Sequence, residues 1–153
     1  NHSKKKSNRI IKQTNKKNIS YLSDFYLKNK IENRVFNFDK NFSNIICEAD
    51  LCITRAGAST LSELSVLNIP FIAVPLPNSK DNHQFENANF YKDNNCCWII
   101  EQNYFENKIE EILEGILDKK SDYLKKKENL KKLNYQNTWI SVNQKILKNI
   151  NEN

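Results

Sequence analysis

The sequence contains few of the residues that interrupt helices and strands: its 153 residues include two glycines and three prolines. It contains no methionine. It contains no internal repeat and no low-complexity linker, which excludes repeat architectures and long flexible connections. No apolar run approaches the roughly 20 residues that cross a bilayer, and no signal peptide is present. These absences predict a folded cytoplasmic domain.

Residues that bind metals are scarce and poorly spaced for that purpose. Four cysteines lie inside apolar runs: Cys47, Cys52, Cys96 and Cys97. They form no C-x-x-C pair and have no histidine at zinc-binding spacing, and His2 and His83 are far apart along the chain. We therefore predict buried free thiols in a reducing compartment, with no metal site and no cofactor.

The charge is positive: 24 Lys and Arg against 18 Asp and Glu give a net charge of +6 and a pI of about 9.1. Such a charge permits binding to phosphates, nucleic acid or an anionic membrane surface. The lysine clusters at 125–127 and 131–132 fall on the expected solvent face of helices. No aromatic-interleaved basic groove, zinc knuckle or recognition helix is present, so we expect no nucleic-acid partner.

Apolar residues make up 39% of the chain, in periodic blocks that suit about one domain. Short apolar runs predict strands at 10–11, 35–38, 51–54, 71–74 and 96–100. Helical periodicity predicts helices at 19–31, 42–46, 59–67, 85–91, 109–117, 123–133 and 139–150. Continuous apolar strands that alternate with helices predict an α/β fold with a parallel sheet covered on both faces.

Gly57 stands between a predicted buried strand and a predicted helix. We expect it to serve a tight turn or the close approach of a ligand, since both need a residue without Cβ. The backbone N–H groups near Ala58, Ser59 and Thr60 then face the carboxyl edge of the sheet. There they can bind a phosphate through hydrogen bonds and the positive end of the helix dipole.

Glu63 has two interpretations. Thr60 and Glu63 match the capping box, in which the carboxylate only reaches back to a backbone N–H. Alternatively, the carboxylate accepts two hydrogen bonds from a vicinal diol such as ribose, while a diphosphate occupies the helix N-terminus. The spacing alone leaves both open.

A polar loop, Asp81–Gln84, follows the next predicted strand and belongs to the same edge as Gly57. In one interpretation its first two residues cap a helix, and His83 and Gln84 are merely exposed. In the other, side-chain amides bind sugar hydroxyls, because an amide both donates and accepts. Arg55 either contacts a phosphate or pairs with an acidic neighbour.

Together these residues match a recognisable pattern. Residues 49–64 (ADLCITRAGASTLSEL) contain R-x-G-A-x-T-x-x-E, and residues 83–88 contain H-Q-x-x-N-A, with prolines at 70 and 75. The combination resembles the C-terminal domain of the MurG family, the peptidoglycan N-acetylglucosaminyltransferases of glycosyltransferase family 28 that convert lipid I to lipid II. The resemblance covers residues 9–120, and the helical tail at 121–153 matches more loosely.

The resemblance implies the C-terminal half of a GT-B glycosyltransferase: a Rossmann-like parallel sheet flanked by helices that binds UDP-N-acetylglucosamine, followed by a helical tail. It implies an inverting displacement without a metal, in which a base deprotonates the acceptor hydroxyl and UDP leaves. The family's acceptor is lipid-linked. The resemblance therefore implies a peripheral location at the anionic inner face of the bacterial cell membrane.

The resemblance also implies residue roles. Glu63 would bind the ribose hydroxyls, while Gln84 and His83 would contact the N-acetylglucosamine. The remaining implied contacts are to the diphosphate, at Ala58, Ser59 and Thr60, and to the uracil, at Phe38, Asp39 and Phe42; Gly57 forms the substrate-binding turn before them. Gln13 matches a family glutamine at the end of an early strand, and Arg55 belongs to the motif around the glycine turn.

The chain departs from the family in its first residues. The glycine-rich diphosphate loop that precedes the first helix of the family's domain has no counterpart, and lysine-rich residues 1–8 resemble a ragged truncation. The N-terminal domain that binds the acceptor and supplies the general base is also missing. We therefore expect a fragment that has most of a donor site, no catalytic residue of its own and no activity alone.

Two other functions stay open. One is the small catalytic subunit that partners a membrane protein in N-glycan assembly, which shares the glycine turn and the His-Gln pair. Arg55, Asn87–Ala88 and the Thr60-to-Glu63 spacing favour the peptidoglycan enzyme over it. The other is a non-catalytic module that binds nucleotide sugars.

Overall fold

In a computed structural model, which describes residues 9–136, the chain forms two compact units that divide between Ile46 and Cys47. Each unit is built on its own parallel sheet, with two strands in the first and three in the second. The prediction of parallel strands flanked by helices is confirmed.

Unit 1, residues 9–46, alternates strands and helices: β1 (Arg9–Gln13), α1 (Ile19–Lys28), β2 (Glu32–Phe36) and α2 (Phe42–Ile46). The strands pair in parallel over their full lengths, with Gln13 opposite Phe36. The prediction of a strand at 35–38 is therefore wrong in its bounds, because the pairing with β1 ends at Phe36. Beyond that point the Asn37 side chain donates to the Thr14 carbonyl at 2.9 Å.

Unit 2 begins at Cys47 and contains β3 (Cys52–Thr54), α3 (Ala58–Val66), β4 (Phe71–Ala73), α4 (His83–Asp93), β5 (Cys97–Ile99), α5 (Phe105–Asp118) and α6 (Lys120–Gln136). The strand order is β3-β4-β5, and all pairs are parallel. The central strand β4 is wholly buried, which is why its sequence is continuously apolar. Leu61 and Leu64 of α3 and Leu130 of α6 are fully buried with it.

Three helices end in the same left-handed turn, and none of these turns contains glycine. The residue after the C-cap has positive φ in α1, α3 and α4, at Lys30 (55°), Asn68 (56°) and Asn95 (51°). The next N–H then reaches back across the last turn, as from Ile31 to the Tyr26 carbonyl at 2.9 Å. Glycine is the favoured residue for such turns, so a chain with two glycines closes its helices at some conformational cost.

Lys126 contradicts the prediction that residues 125–127 lie in solvent, because it is 5% exposed. Its Nζ donates to Asn95 Oδ1 at 2.7 Å and lies 4.7 Å from the centre of the Trp98 ring. Asp122 lies 3.6 Å from the same Nζ and accepts a hydrogen bond from the Trp98 indole at 3.1 Å. The lysine faces inward because α6 packs against the end of α4, where Asn95 stands.

Two further expectations need correction. Leu117 is the last residue of the helix predicted from apolar periodicity at 109–117, but it is 72% exposed and so lies off the buried face of α5. Cys47 is exposed and Cys52 is half-buried, so the prediction of buried thiols is confirmed only for the adjacent pair on and before β5. Cys47 follows the last residue of α2 and has no strand to bury it. The helix predicted at 139–150 lies outside the described residues.

Candidate functional site

The carboxyl ends of the three strands carry the loops of interest in unit 2. Because the strands are parallel, residues 55–57, 74–82 and 100–104 leave from the same edge of the sheet. Backbone hydrogen bonds continue into these loops, from Val74 N–H to the Thr54 carbonyl at 2.8 Å and from Ile100 N–H to the Ala73 carbonyl at 3.0 Å. The loops therefore start from fixed positions.

Gly57 is the N-cap of α3 and has ordinary extended backbone angles, with φ −70° and ψ 134°. Any residue adopts these angles, so the prediction of a tight turn that needs glycine is wrong. No atom of the described residues lies within 4 Å of the place where a Cβ would stand. The other explanation for glycine here, the close approach of a ligand, stays a prediction.

The N-terminus of α3 presents unpaired donors. The first hydrogen bond of the helix runs from Leu61 N–H to the Gly57 carbonyl at 3.0 Å, so the three preceding N–H groups have no helical partner. No side chain caps them. Ala58 and Ser59 are exposed, and Thr60 is half-buried. Together with the open space beside Gly57, these donors form a place where an anion can bind.

The capping-box interpretation of Glu63 is wrong. That arrangement requires Thr60 at the N-cap, but the N-cap is Gly57 and Thr60 is the third residue of the helix. Glu63 is exposed, and its carboxylate takes part in no hydrogen bond or ion pair with the described residues. Side chains on a helix incline toward its N-terminus, so this carboxylate leans toward the free donors.

Arg55 joins the loops after β3 and β4. Its guanidinium donates to the Val74 carbonyl at 3.3 Å, and its side chain is exposed. It forms no ion pair within residues 9–136, so the interpretation that it pairs with an acidic neighbour fails there. The other guanidinium N–H groups stay available to an anion.

The loop before α4 is backbone-strained. Asp81 and Asn82 both have left-handed angles, with φ 50° and 55°. Neither side chain caps the helix, so the capping interpretation of these two residues is wrong. Instead, Ser79 Oγ accepts a hydrogen bond from Gln84 N–H at 3.3 Å.

Gln84 and His83 begin α4 and differ in exposure. Gln84 is half-buried, and its Oε1 accepts from Leu76 N–H at 3.0 Å, which leaves Nε2 as the free donor. His83 is exposed as expected, and its Nδ1 lies 2.6 Å from the Lys80 carbonyl. A carbonyl only accepts, so Nδ1 carries the proton in this contact and Nε2 is left free.

Asn87 is a residue to which sequence reasoning assigned no role. Its Nδ2 donates to the Ala56 carbonyl at 3.1 Å, which links α4 to the residue before Gly57. Asn87 follows Gln84 by three residues and so lies on the same face of the helix. That spacing in H-Q-x-x-N-A was the available signal, but the Ala56 contact depends on the tertiary structure.

In unit 1 the residues named by the family resemblance lie near the carboxyl ends of its strands. Gln13 ends β1, and its amide donates to the Asn37 carbonyl at 3.1 Å. The Phe38 ring is 76% exposed, whereas Phe42 packs against Phe36 with ring centres 6.3 Å apart. Phe38 is therefore the freer aromatic surface.

Asp39 is already engaged within unit 1. Its Oδ1 accepts from Asn41 N–H at 2.8 Å, and its Oδ2 accepts from the Arg34 guanidinium at 3.2 Å. The carboxylate is part of a turn as well as a candidate ligand contact.

The cysteine that begins β3 is not an activated nucleophile. Burial raises the pKa of the Cys52 thiol on β3 to about 11, so the thiol is protonated at neutral pH. Across residues 9–136, no three His, Cys, Asp or Glu side chains gather as a metal would require. In the same part of the chain, no helix has both the length and the apolar character to span a membrane.

Comparisons of the sequence and of the structure find similarity to the same group of known proteins. The family model for the glycosyltransferase family 28 C-terminal domain matches residues 1–139. A curated UDP-N-acetylglucosamine--N-acetylmuramyl-(pentapeptide) pyrophosphoryl-undecaprenol N-acetylglucosamine transferase of Pelagibacter ubique is 45% identical over 95% of this chain and 41% of its own length. A protein of the same name from Rickettsia massiliae is 39% identical over 71% of this chain and 28% of its own length.

A crystal structure of Acinetobacter baumannii MurG is similar in three dimensions. The TM-score is 0.70 with 25% sequence identity, over 81% of this chain and 36% of that one. The chain thus spans less than half the length of each of these proteins.

Proposed function

This chain belongs to the glycosyltransferase family 28 C-terminal domain family, and we propose that it is the donor-binding part of a cell-wall N-acetylglucosaminyltransferase. The reaction would move N-acetylglucosamine from UDP-N-acetylglucosamine to N-acetylmuramyl-(pentapeptide) pyrophosphoryl-undecaprenol, as the names of its relatives state for those proteins. Those names support this function over an N-glycan subunit or a non-catalytic module.

The observation that carries the proposal is the start of α3. Unpaired N–H groups at Ala58, Ser59 and Thr60, open space beside Gly57 and the unpartnered Glu63 carboxylate occur within two turns of one helix. A nucleoside diphosphate has matching groups, since its diphosphate needs donors and its ribose diol needs an acceptor. In our assignment the diphosphate lies at the helix N-terminus and the ribose hydroxyls donate to Glu63.

The second loop would hold the sugar. The Oε1 of Gln84 is occupied by Leu76 N–H, so Gln84 would donate from Nε2 to a hydroxyl or acetamido oxygen. His83 would present its free Nε2 to a sugar hydroxyl. Arg55 would add a charged donor for the diphosphate.

Taken by itself, unit 1 offers its own candidate contacts for a planar base. The exposed ring of Phe38 offers a surface for stacking, with Asp39 and Phe42 beside it in sequence, and Gln13 supplies an amide near the end of β1. Asp39 would act through whichever lone pairs its contacts to Arg34 and Asn41 leave free.

The proposed mechanism is an inverting displacement in which UDP leaves as the acceptor hydroxyl attacks. The N–H groups and the positive end of α3 would stabilise the negative charge that develops on the leaving diphosphate. We assign no catalytic residue among residues 9–136; the general base and the acceptor-binding surface belong to the rest of the enzyme. We place the enzyme at the inner face of the bacterial membrane, where a lipid-linked acceptor is presented.

Titration of the 153-residue chain with UDP by calorimetry tests the proposal. We expect saturable binding that Glu63→Gln weakens about tenfold or more, because hydrogen bonds to a charged acceptor contribute about 1.5–3 kcal/mol. Glu111→Gln is the matched control, since Glu111 is an exposed carboxylate on α5. The ribose assignment fails if wild type and Glu63→Gln bind UDP equally, and the donor-site proposal fails if UDP does not bind.

A further inference from the structure

Helix α6 is bonded to the C-terminal ends of both helices that carry the proposed donor site. α3 and α4 begin near Gly57 and Gln84 at the carboxyl edge of the sheet, and each runs back to the amino edge, as the connections of a parallel sheet do. There α6 packs against α3, and its side chains bond to the turn after each helix. α6 therefore contacts both donor-site helices at the ends remote from the ligand.

Two side chains of α6 bond to Asn95, which forms the turn after α4. Lys126 Nζ donates to Asn95 Oδ1 at 2.7 Å, and Asn129 Nδ2 donates to the Asn95 carbonyl at 3.0 Å. Asn129 follows Lys126 by three residues, so both lie on one face of α6. The lysine also places a positive charge at the negative end of the α4 dipole. The C-terminal end of α4 is thus fixed by two hydrogen bonds to a single residue.

One side chain of α6, Asn134, bonds to the end of α3 at three points. Its Nδ2 donates to Asn68 Oδ1 at 3.2 Å and to the Ser65 carbonyl, and its Oδ1 accepts from Ser65 Oγ at 3.1 Å. Asn68 and Asn95 occupy equivalent positions, each with positive φ after the C-cap of its helix. Glycine adopts these angles at lower cost, but it has no amide to bond to α6. The two asparagines therefore link both turns to the same helix.

A stiff helix carries a displacement along its axis from one end to the other. Gln84 lies 11 residues before Asn95, about 16 Å along α4, and Ala58 lies 10 residues before Asn68, about 15 Å along α3. Neither helix contains a glycine or proline at which it could bend. The bonds to α6 therefore set the spacing between the N–H groups that begin α3 and the Nε2 of Gln84.

We propose that Lys126, Asn129 and Asn134 are positioning residues for donor binding. They hold α3 and α4 in register from the amino edge of the sheet, so that the donors for the diphosphate and the amide for the sugar fit one nucleotide sugar. The proposal rests on the proposed function, and it assigns a different effect to each helix. Displacement of α3 moves the contacts to the diphosphate and ribose, whereas displacement of α4 moves the contacts to the sugar.

Calorimetric titration of the 153-residue chain with UDP and with UDP-N-acetylglucosamine tests this role. Asn134→Ala releases α3, so it should weaken the binding of both ligands by the same factor, about threefold to tenfold. Asn129→Ala releases α4, so it should weaken UDP-N-acetylglucosamine by about threefold to tenfold and UDP by less than about twofold.

Tyr123→Phe is the matched control on α6. It removes one hydrogen bond from this helix to the backbone, from the Tyr123 hydroxyl to the Asp50 carbonyl at 2.9 Å, but Asp50 precedes β3 and ends no donor-site helix. Circular dichroism and urea denaturation establish that each variant is folded at the temperature of the titration. Because a loss of stability alone leaves the affinity of the folded chain unchanged, Tyr123→Phe should bind both ligands as wild type does.

Asn68→Gly and Asn95→Gly break the same links from the other side and suit the left-handed backbone, so they replace an alanine variant that does not fold. The positioning role alone is refuted if the folded variants bind both ligands with wild-type affinity, or if Tyr123→Phe weakens binding as much as they do. It is also refuted if Asn129→Ala weakens UDP as much as UDP-N-acetylglucosamine. A wild-type chain that binds neither ligand would refute the proposed function and the positioning role together.

Discussion

Lys126 allows a prediction whose size can be worked out from the structure. Its ammonium is buried and has three neighbours: Asn95 Oδ1 at 2.7 Å, the Trp98 ring at 4.7 Å and an Asp122 oxygen at 3.6 Å. Replacement by methionine keeps most of the stem and removes the ammonium, with its charge and its hydrogen-bond donors. The change in the free energy of unfolding then measures what the ammonium contributes.

The individual contributions have different sizes. A hydrogen bond to a charged donor contributes about 1.5–3 kcal/mol, and a cation over an aromatic ring about 0.5–2 kcal/mol. The Asp122 side chain is 45% exposed, so its ion pair contributes less than about 1 kcal/mol. The desolvation cost of the buried ammonium opposes these stabilising contributions, and a methionine side chain has no such cost.

We therefore expect Lys126→Met to lower the free energy of unfolding by about 1–2 kcal/mol. Lys126→Ala should lower it by about 2–4 kcal/mol, since it also removes the buried stem. Lys125→Met is the matched control, because that neighbour in the same lysine cluster is exposed, and it should change stability by less than about 0.5 kcal/mol.

Urea denaturation followed by circular dichroism measures these differences. A double-mutant cycle with Asn95→Gly isolates the hydrogen bond, because glycine accepts the φ of 51° while removing the acceptor. We expect a coupling of about 1 kcal/mol in that cycle. If Lys126→Met is as stable as wild type, the ammonium gives no net stabilisation; if Lys125→Met is equally damaging, the burial of Lys126 is not the cause.

Two other predictions concern the helix ends and the thiols. Lys30→Gly should raise the free energy of unfolding by about 0.5–1 kcal/mol in urea, because glycine relieves the left-handed backbone at φ 55°; an unchanged or lowered midpoint would contradict this. Burial raises the pKa of Cys97 to about 12, so above pH 9 the folded chain keeps a proton that the unfolded chain releases. Stability should therefore fall as pH rises from 9 toward 12, by roughly 3 kcal/mol at pH 11 from this thiol. In urea denaturation under reducing conditions, Cys97→Ala should flatten the slope and Cys47→Ser, at an exposed thiol, should not; equal slopes would contradict it.

Part of the architecture could be predicted from the sequence because the three strands of unit 2 consist mostly of apolar residues. β4 was placed almost to the residue, since all of it is buried and the flanking prolines limit it. The bounds of β2 were predicted wrongly because Phe36 and Phe38 both suit a strand. The strand ends at Phe36 because its pairing with β1 ends there. Strand bounds depend on the partner strand, which the local sequence does not contain.

Some residues of the candidate site could also be predicted from the sequence, and others could not. The residues around Gly57 could be found from the sequence, because a glycine between an apolar strand and a helix is a local pattern. Whether Glu63 is a cap or a free carboxylate could not be decided from the sequence, because the answer depends on where the helix starts. It starts at Ala58, three residues earlier than a Thr60 cap requires. The bond from Asn87 to Ala56 spans 31 residues and has no local signal.

The sequence by itself determined the alternation of strands and helices, the edge of the sheet that carries the polar loops, and the family. These follow from periodicity and motif spacing, which are properties of neighbouring residues. Only the tertiary structure decided that Lys126 is buried while Lys125 is exposed, and that Gln84 is held by Leu76 while Glu63 is unpartnered. Burial and hydrogen-bond partners depend on which distant segments pack together. The residues next to a position in the sequence do not specify that packing.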